Sequence, residues 1–118
     1  MGKRDAALAM SLMATEEPER RALMDRLSER QRQPLRRYWP LWAHEGQLPP
    51  EGDWLGWLIL AGRGFGKTRA GAEWVRAIAQ NDASARIALV GASLVEARSV
   101  MVEGESGLLA IAPRDNRP

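Results

Sequence analysis

The chain has 118 residues, of which 45% are hydrophobic and 27% charged, with a formal net charge of +2. That is an ordinary globular balance on the scale of one domain, and it excludes a strong basic field acting over the whole chain. There is no cysteine and only one histidine, His44, which excludes a disulfide framework, thiolate metal sites and histidine clusters; no apolar run approaches the roughly 20 residues of a bilayer span.

Lys3 and Arg4 precede a short apolar stretch from Ala6 to Ala14, but Asp5 interrupts the charged region and no small-residue cleavage site follows, so the start is not read as a secretory signal. Residues 1–40 carry nine Lys/Arg and six Asp/Glu, with seven arginines between Arg20 and Arg37. This basic stretch reads as a solvated helix face, with contact to nucleic acid or an acidic partner as the other reading. A short helix is expected over residues 5–13. Thr15 resembles an N-cap, with Glu16, Glu17 and Pro18 in the first turn of a second helix. "EPERRALMDRLSERQRQ" reads as one helix, with Leu23 and Leu27 four apart on one face. Pro34 is placed to open a third at "PLRRYWPLW", which Pro40 should bend or end. Trp39 and Trp42 read as core or interface anchors.

"HEGQLPPEGDW" (44–54) has the glycines, prolines and Asp of a loop. "WLIL" (57–60) is short, apolar and bounded by Gly56 and Gly62, so a buried strand is expected there. A helix should run from near Gly66 to about Gln80, with Ala70, Trp74, Ala77 and Ile78 on one face, and "NDAS" should end it. "RIALVG" (86–91) reads as a second buried strand. Ser93 with Glu96 forms a capping-box pattern, so a helix is expected over 94–103. That cap puts "SVMVEGE" on a helix and keeps Glu103 from ending a strand. The sum is a βαβ unit. The expected fold class is therefore α/β, an incomplete parallel-sheet core of the P-loop NTPase kind, preceded by an α-helical segment. Residues 1–45 are expected to form the helical part and residues 46–118 the α/β part.

"AGRGFGKT" sits between the first expected strand and the long helix. A chain that wraps its N–H groups around an anion needs unusual φ values and no obstructing Cβ, which Gly62, Gly64 and Gly66 supply. The following helix aims its positive dipole end at the same place. Lys67 adds a flexible charge able to reach β- and γ-phosphates, and Thr68 a hydroxyl for Mg²⁺. Ala61 stands where the phosphate-loop pattern has its first glycine. A dinucleotide fingerprint lacks its third glycine here, because Lys67 occupies that place, and the Lys-Thr pair favours a nucleoside triphosphate.

"WLILAGRGFGKTRAGAEWVR", continuing through "RIALVGASLVEARSVMVEGESGLLAIAP" and reaching back to "WAHEGQLPPEGDW", resembles the large subunit of tailed-phage terminases, particularly those related to gene transfer agents. The resemblance covers roughly residues 39–113 and rests above all on Arg63 inside the loop and on "TRAGAEW" opening the helix. It implies an ATP-driven motor that packages double-stranded DNA into a capsid, with ATP and Mg²⁺ as cofactors. The implied partners are double-stranded DNA, a portal protein and a small terminase subunit. A homo-oligomeric ring in the host cytoplasm, docked on the capsid portal with no membrane association, is also implied. By position, the resemblance assigns Arg63 to the γ-phosphate as a catalytic arginine. It gives Gly62, Gly64, Phe65, Gly66, Lys67 and Thr68 to nucleotide binding, Thr68 to the metal, and Gln47 to an adenine contact. The family's later strand ending in Asp-Glu and its nuclease acidic cluster have no counterpart here, so the chain reads as an N-terminal fragment, inactive alone. Two further readings stay open: another P-loop NTPase or kinase, and a non-catalytic interaction module.

Overall fold

The computed structural model describes residues 2–113. These fall into two units that part between His44 and Glu45. Residues 114–118, which close the second expected domain, lie outside the described residues.

The first unit holds α1 (Lys3–Met13), α2 (Glu17–Arg26), α3 (Glu29–Arg36) and α4 (Trp39–Trp42). The helix expected over 5–13 begins at Lys3, because the Asp5 carboxylate accepts the Gly2 N–H at 3.1 Å and caps the start. Thr15 does not cap α2. Its hydroxyl donates back to the Leu12 carbonyl at 2.8 Å and closes α1 instead.

The single helix expected from Glu16 to Gln33 is broken in two. Leu27 leaves the helix with ψ 146°, and the Ser28 N–H and hydroxyl donate to Gln31 Oε1 at 3.0 and 2.9 Å. This local cap wins against continuation of α2. Arg32 reaches back to the freed carbonyls, with Nε 2.7 Å from Leu27 O and Nη2 2.9 Å from Asp25 O. Pro34 therefore falls inside α3 rather than opening a helix, and Pro40 sits in the first turn of α4, where its missing N–H is not needed.

Ala9, Leu12, Leu35 and Leu41 form the buried core of this unit, with Leu8, Met24, Leu27 and Tyr38 packed around them. Trp42 anchors by its polar edge rather than by burial: Nε1 donates to Leu35 O at 2.8 Å while the residue stays exposed. Arg20 ties the unit together. Its Nε donates to Leu12 O at 3.0 Å, its Nη1 to Leu41 O at 3.2 Å and its Nη2 to Thr15 O at 3.0 Å. One guanidinium thus satisfies main-chain carbonyls from α1, the α1–α2 connection and α4, groups that helix ends leave without partners.

The second unit begins with a 3₁₀ turn, Glu45–Gln47, and contains α5 (Lys67–Asn81), α6 (Leu94–Glu96), a π-helical turn over Ala97–Val102 and α7 (Leu108–Ile111). α5 is the long helix expected after the glycine loop. It ends where Asp82 Oδ1 accepts from Ser84 N and Oγ at 2.8 and 2.6 Å, and these bonds hold the Asp82 carboxyl below its ordinary range. Its buried positions are Ala70, Ala72 and Glu73, so of the face expected through Ala70, Trp74, Ala77 and Ile78 only Ala70 is buried; Ile78 is half-buried, and Trp74 and Ala77 are exposed. The Ser93 hydroxyl accepts the Glu96 N–H at 3.1 Å, and the chain stays helical from Leu94 to Val102.

The expected α/β fold class is overturned. Among the described residues the chain is all-helical, with 57% helix and no strand, so there is no parallel sheet and no P-loop NTPase core of that kind. Residues 57–60 and 86–91 are irregular. Burial alternates along the first run: Trp57 and Ile59 are half-buried, whereas Leu58 and Leu60 are 77% and 85% exposed. Val90 in the second run is 81% exposed. A parallel sheet is stable only when both faces are covered and its main-chain groups are paired along each edge. Two short runs with one 15-residue helix between them cannot meet both conditions.

Arg20→Ala should lower the unfolding free energy by about 2 kcal/mol, the scale for charged hydrogen bonds to buried carbonyls. Arg21→Ala, whose side chain is 80% exposed, should change it by less than about 0.5 kcal/mol. Urea unfolding followed by circular dichroism measures both; equal midpoints for the two variants would show that Arg20 does not tie the unit together.

Candidate functional site

The second unit gathers all eight of the singled-out positions around the loop that precedes α5. Gly64 has φ +85° and Gly66 φ +90°, both in the left-handed region that costs a residue with a Cβ. Gly62 does not share this geometry, so only two of the three loop glycines need their conformational freedom. Gly66 is the N-cap of α5, and Lys67 and Thr68 are its first two residues. Among the described residues, no carbonyl or side-chain oxygen accepts from the backbone N–H of Gly64, Gly66, Lys67 or Thr68. Donors of this kind at a helix start are the groups that bind phosphate oxygens.

The Lys67 side chain folds over the same loop. Its ammonium donates to Ala61 O at 2.6 Å and Gly62 O at 2.7 Å. An ammonium has three N–H donors, so one remains for a further acceptor. Gln47 comes in from the 3₁₀ turn. It is 7% exposed, and its Nε2 donates to Gly66 O at 3.1 Å across 19 residues of chain.

Arg63 and Thr68 are exposed and lie in the loop and at the start of α5. Phe65 is half-buried beside them. The structure thus joins Gln47, Gly62, Gly66 and Lys67 by direct bonds and leaves Arg63 and Thr68 at the surface of the same segment.

Two features of the site were not anticipated. The first is a charge cluster on α5. Arg69 Nε and Nη2 donate to Glu73 Oε1 at 3.0 and 2.7 Å, and Arg76 Nη1 lies 3.5 Å from Glu73 Oε2. Glu73 is buried, and an uncompensated carboxylate two turns into the helix would repel an anion at its start. Two arginines reverse that sign. The signal was present in "TRAGAEWVR", whose Arg-Glu-Arg spacing of four and three residues puts all three on one face. The second is a cavity of about 290 Å³ beside the same turns, lined by Lys67, Thr68, Val75, Leu89, Met101 and Leu108 among others. Its walls come from residues up to 41 positions apart, and no local pattern announces it. Further along α5, the Trp74 ring lies tilted against Trp54 and edge-to-face with Trp57, at centroid distances of 6.1 and 6.2 Å.

No helix among the described residues is long and apolar enough to cross a membrane. No family model matches the chain, and no curated protein or solved structure matches it either.

Gly64→Ala should cost about 1 kcal/mol, because a Cβ there meets no neighbour and only the positive φ opposes it. Gly62→Ala meets neither obstacle and should be close to neutral. Thermal unfolding of the two variants tests the loop geometry; an equal loss in both would contradict it.

Proposed function

We propose that the second unit binds the phosphate chain of a nucleoside triphosphate, ATP with Mg²⁺, as the nucleotide-binding portion of a terminase large subunit. The observation that carries this reading is the junction at Gly66. Two left-handed glycines lead into the start of α5, the Lys67 and Thr68 N–H groups have no acceptor among the described residues, and the Lys67 ammonium is held over the loop by two carbonyls. Helix dipole, N–H donors and ammonium all favour an anion at one end of α5.

In this reading the Lys67 ammonium exchanges one or both loop carbonyls for phosphate oxygens. Charge-assisted bonds to phosphate outweigh bonds to neutral carbonyls. Thr68 supplies the hydroxyl for Mg²⁺. No group of three or more acidic or imidazole ligands stands near it among the described residues, so the ion would be held mainly by phosphate oxygens and water, as Mg²⁺ accepts. Arg63 carries the guanidinium assigned to the terminal phosphate, where a fixed positive charge stabilises the transition state of phosphoryl transfer. Double-stranded DNA, a portal protein and a small terminase subunit are the proposed partners, and a ring docked on a capsid portal in the host cytoplasm the proposed setting. These rest on the sequence resemblance and not on a sheet.

Lys67→Ala should weaken binding of Mg²⁺–ATP at least about 10-fold, the loss of one charge-assisted contact, with an unchanged far-ultraviolet circular dichroism spectrum. Isothermal titration of the parent and variant chains measures it. Equal affinities in the two would refute the nucleotide reading.

A further inference from the structure

The resemblance gives Gln47 to adenine, but its geometry points elsewhere. Gln47 closes the 3₁₀ turn Glu45–Gln47 and is almost fully buried. Its Nε2 donates to Gly66 O at 3.1 Å, and the same carbonyl accepts the Ala70 N–H at 3.0 Å. Contact between Gln47 and Gly66 is close. A Cβ built on Gly66 would run into Gln47 Nε2. Gly66 is therefore glycine for two reasons, its φ of +90° and the space its neighbour fills.

The peptide joining Gly66 to Lys67 is planar and trans, so its C=O and N–H point in opposite directions. Two donors that fix the Gly66 oxygen also fix the direction of the Lys67 N–H. That N–H is a donor at the loop–helix junction, where the anion is expected. Helix geometry provides one of the two restraints through Ala70. Gln47 provides the other from outside the helix, and it constrains the rotation of the peptide that a single bond leaves free.

We propose that Gln47 is a positioning residue for the phosphate end of the site. It acts on the triphosphate through the Gly66–Lys67 peptide and not on the base. The proposal rests on the nucleotide reading above and assigns Gln47 a different role within it. Any ligand carrying the same phosphate chain should depend on Gln47 equally, with or without a base.

The test uses the full chain and two probes, Mg²⁺–ATP and Mg²⁺–tripolyphosphate, which has the phosphates but no nucleoside. Gln47→Glu keeps the side chain's size and sets an acceptor against the Gly66 carbonyl. Gln47→Met keeps its length with no donor, and serves if the carboxylate prevents folding. Affinities are measured by isothermal titration below each variant's thermal midpoint, which is recorded alongside. The expected result is a loss of about 10-fold for both probes, by the same factor, in the folded variant. Loss for ATP with tripolyphosphate unchanged would overturn the proposal and return Gln47 to the base. A lower thermal midpoint with both affinities unchanged would overturn it too, because the contact would then be structural only. If the parent chain binds neither probe, the nucleotide reading itself falls and takes this proposal with it.

Discussion

The Gly66 carbonyl accepts two hydrogen bonds, one from the Ala70 N–H inside α5 and one from the Gln47 amide outside it. Around that oxygen the second unit turns from loop to helix. The left-handed φ of Gly66 makes the turn possible, and the lack of a Cβ admits Gln47. The Lys67 and Thr68 N–H groups at the start of α5 find no acceptor among the described residues, which leaves them to an outside acceptor. Lys67, the next residue, throws its ammonium back over the carbonyls of Ala61 and Gly62. Positive charge, free donors and a fixed peptide plane are thus assembled within a few residues of one another. Their shared preference for an anion follows from their chemistry, whatever surrounds them.

Charge is handled in the same way in both units: arginines are placed where the backbone or a buried carboxylate needs a cation. Arg20 caps three main-chain carbonyls in the first unit, and Arg69 and Arg76 neutralise Glu73 in the second. The arginine-rich stretch that looked like a solvated face is therefore partly structural. Arg20 and Arg32 are tied to carbonyls, whereas Arg21 lies at the surface with a long contact to Glu17. A pair that exposed contributes little to stability.

What could be read from the sequence was mostly local. The start of α5 follows from Gly66-Lys67-Thr68 and its end from Asp82 and Ser84, all signals within a few residues. Ser93 and Glu96 announced their helix in the same way. The break between α2 and α3 was written as Ser28 with Gln31 three residues later, a cap pattern hidden inside a longer apolar periodicity. The failures were long-range. "WLIL" and "RIALVG" have strand composition, but a strand exists only by pairing, and neither run finds a partner among the described residues. Leu58, Leu60 and Val90 remain in water as a result. Arg20 reaching Leu41 and Gln47 reaching Gly66 span 21 and 19 residues, distances over which spacing says nothing about contact. Gln47 could be singled out by resemblance, but its hydrogen-bond partner could not.

The role proposed for the junction from Gly64 to Thr68 is to bind a phosphate chain. Its most direct test is an amide nitrogen–proton NMR titration of the whole chain with Mg²⁺–tripolyphosphate. A phosphate site at this junction should give saturable shifts concentrated at the N–H groups of Gly64, Gly66, Lys67 and Thr68, with little change between Arg20 and Arg37. Shifts spread over the arginine-rich helices, or none at the loop, would contradict it.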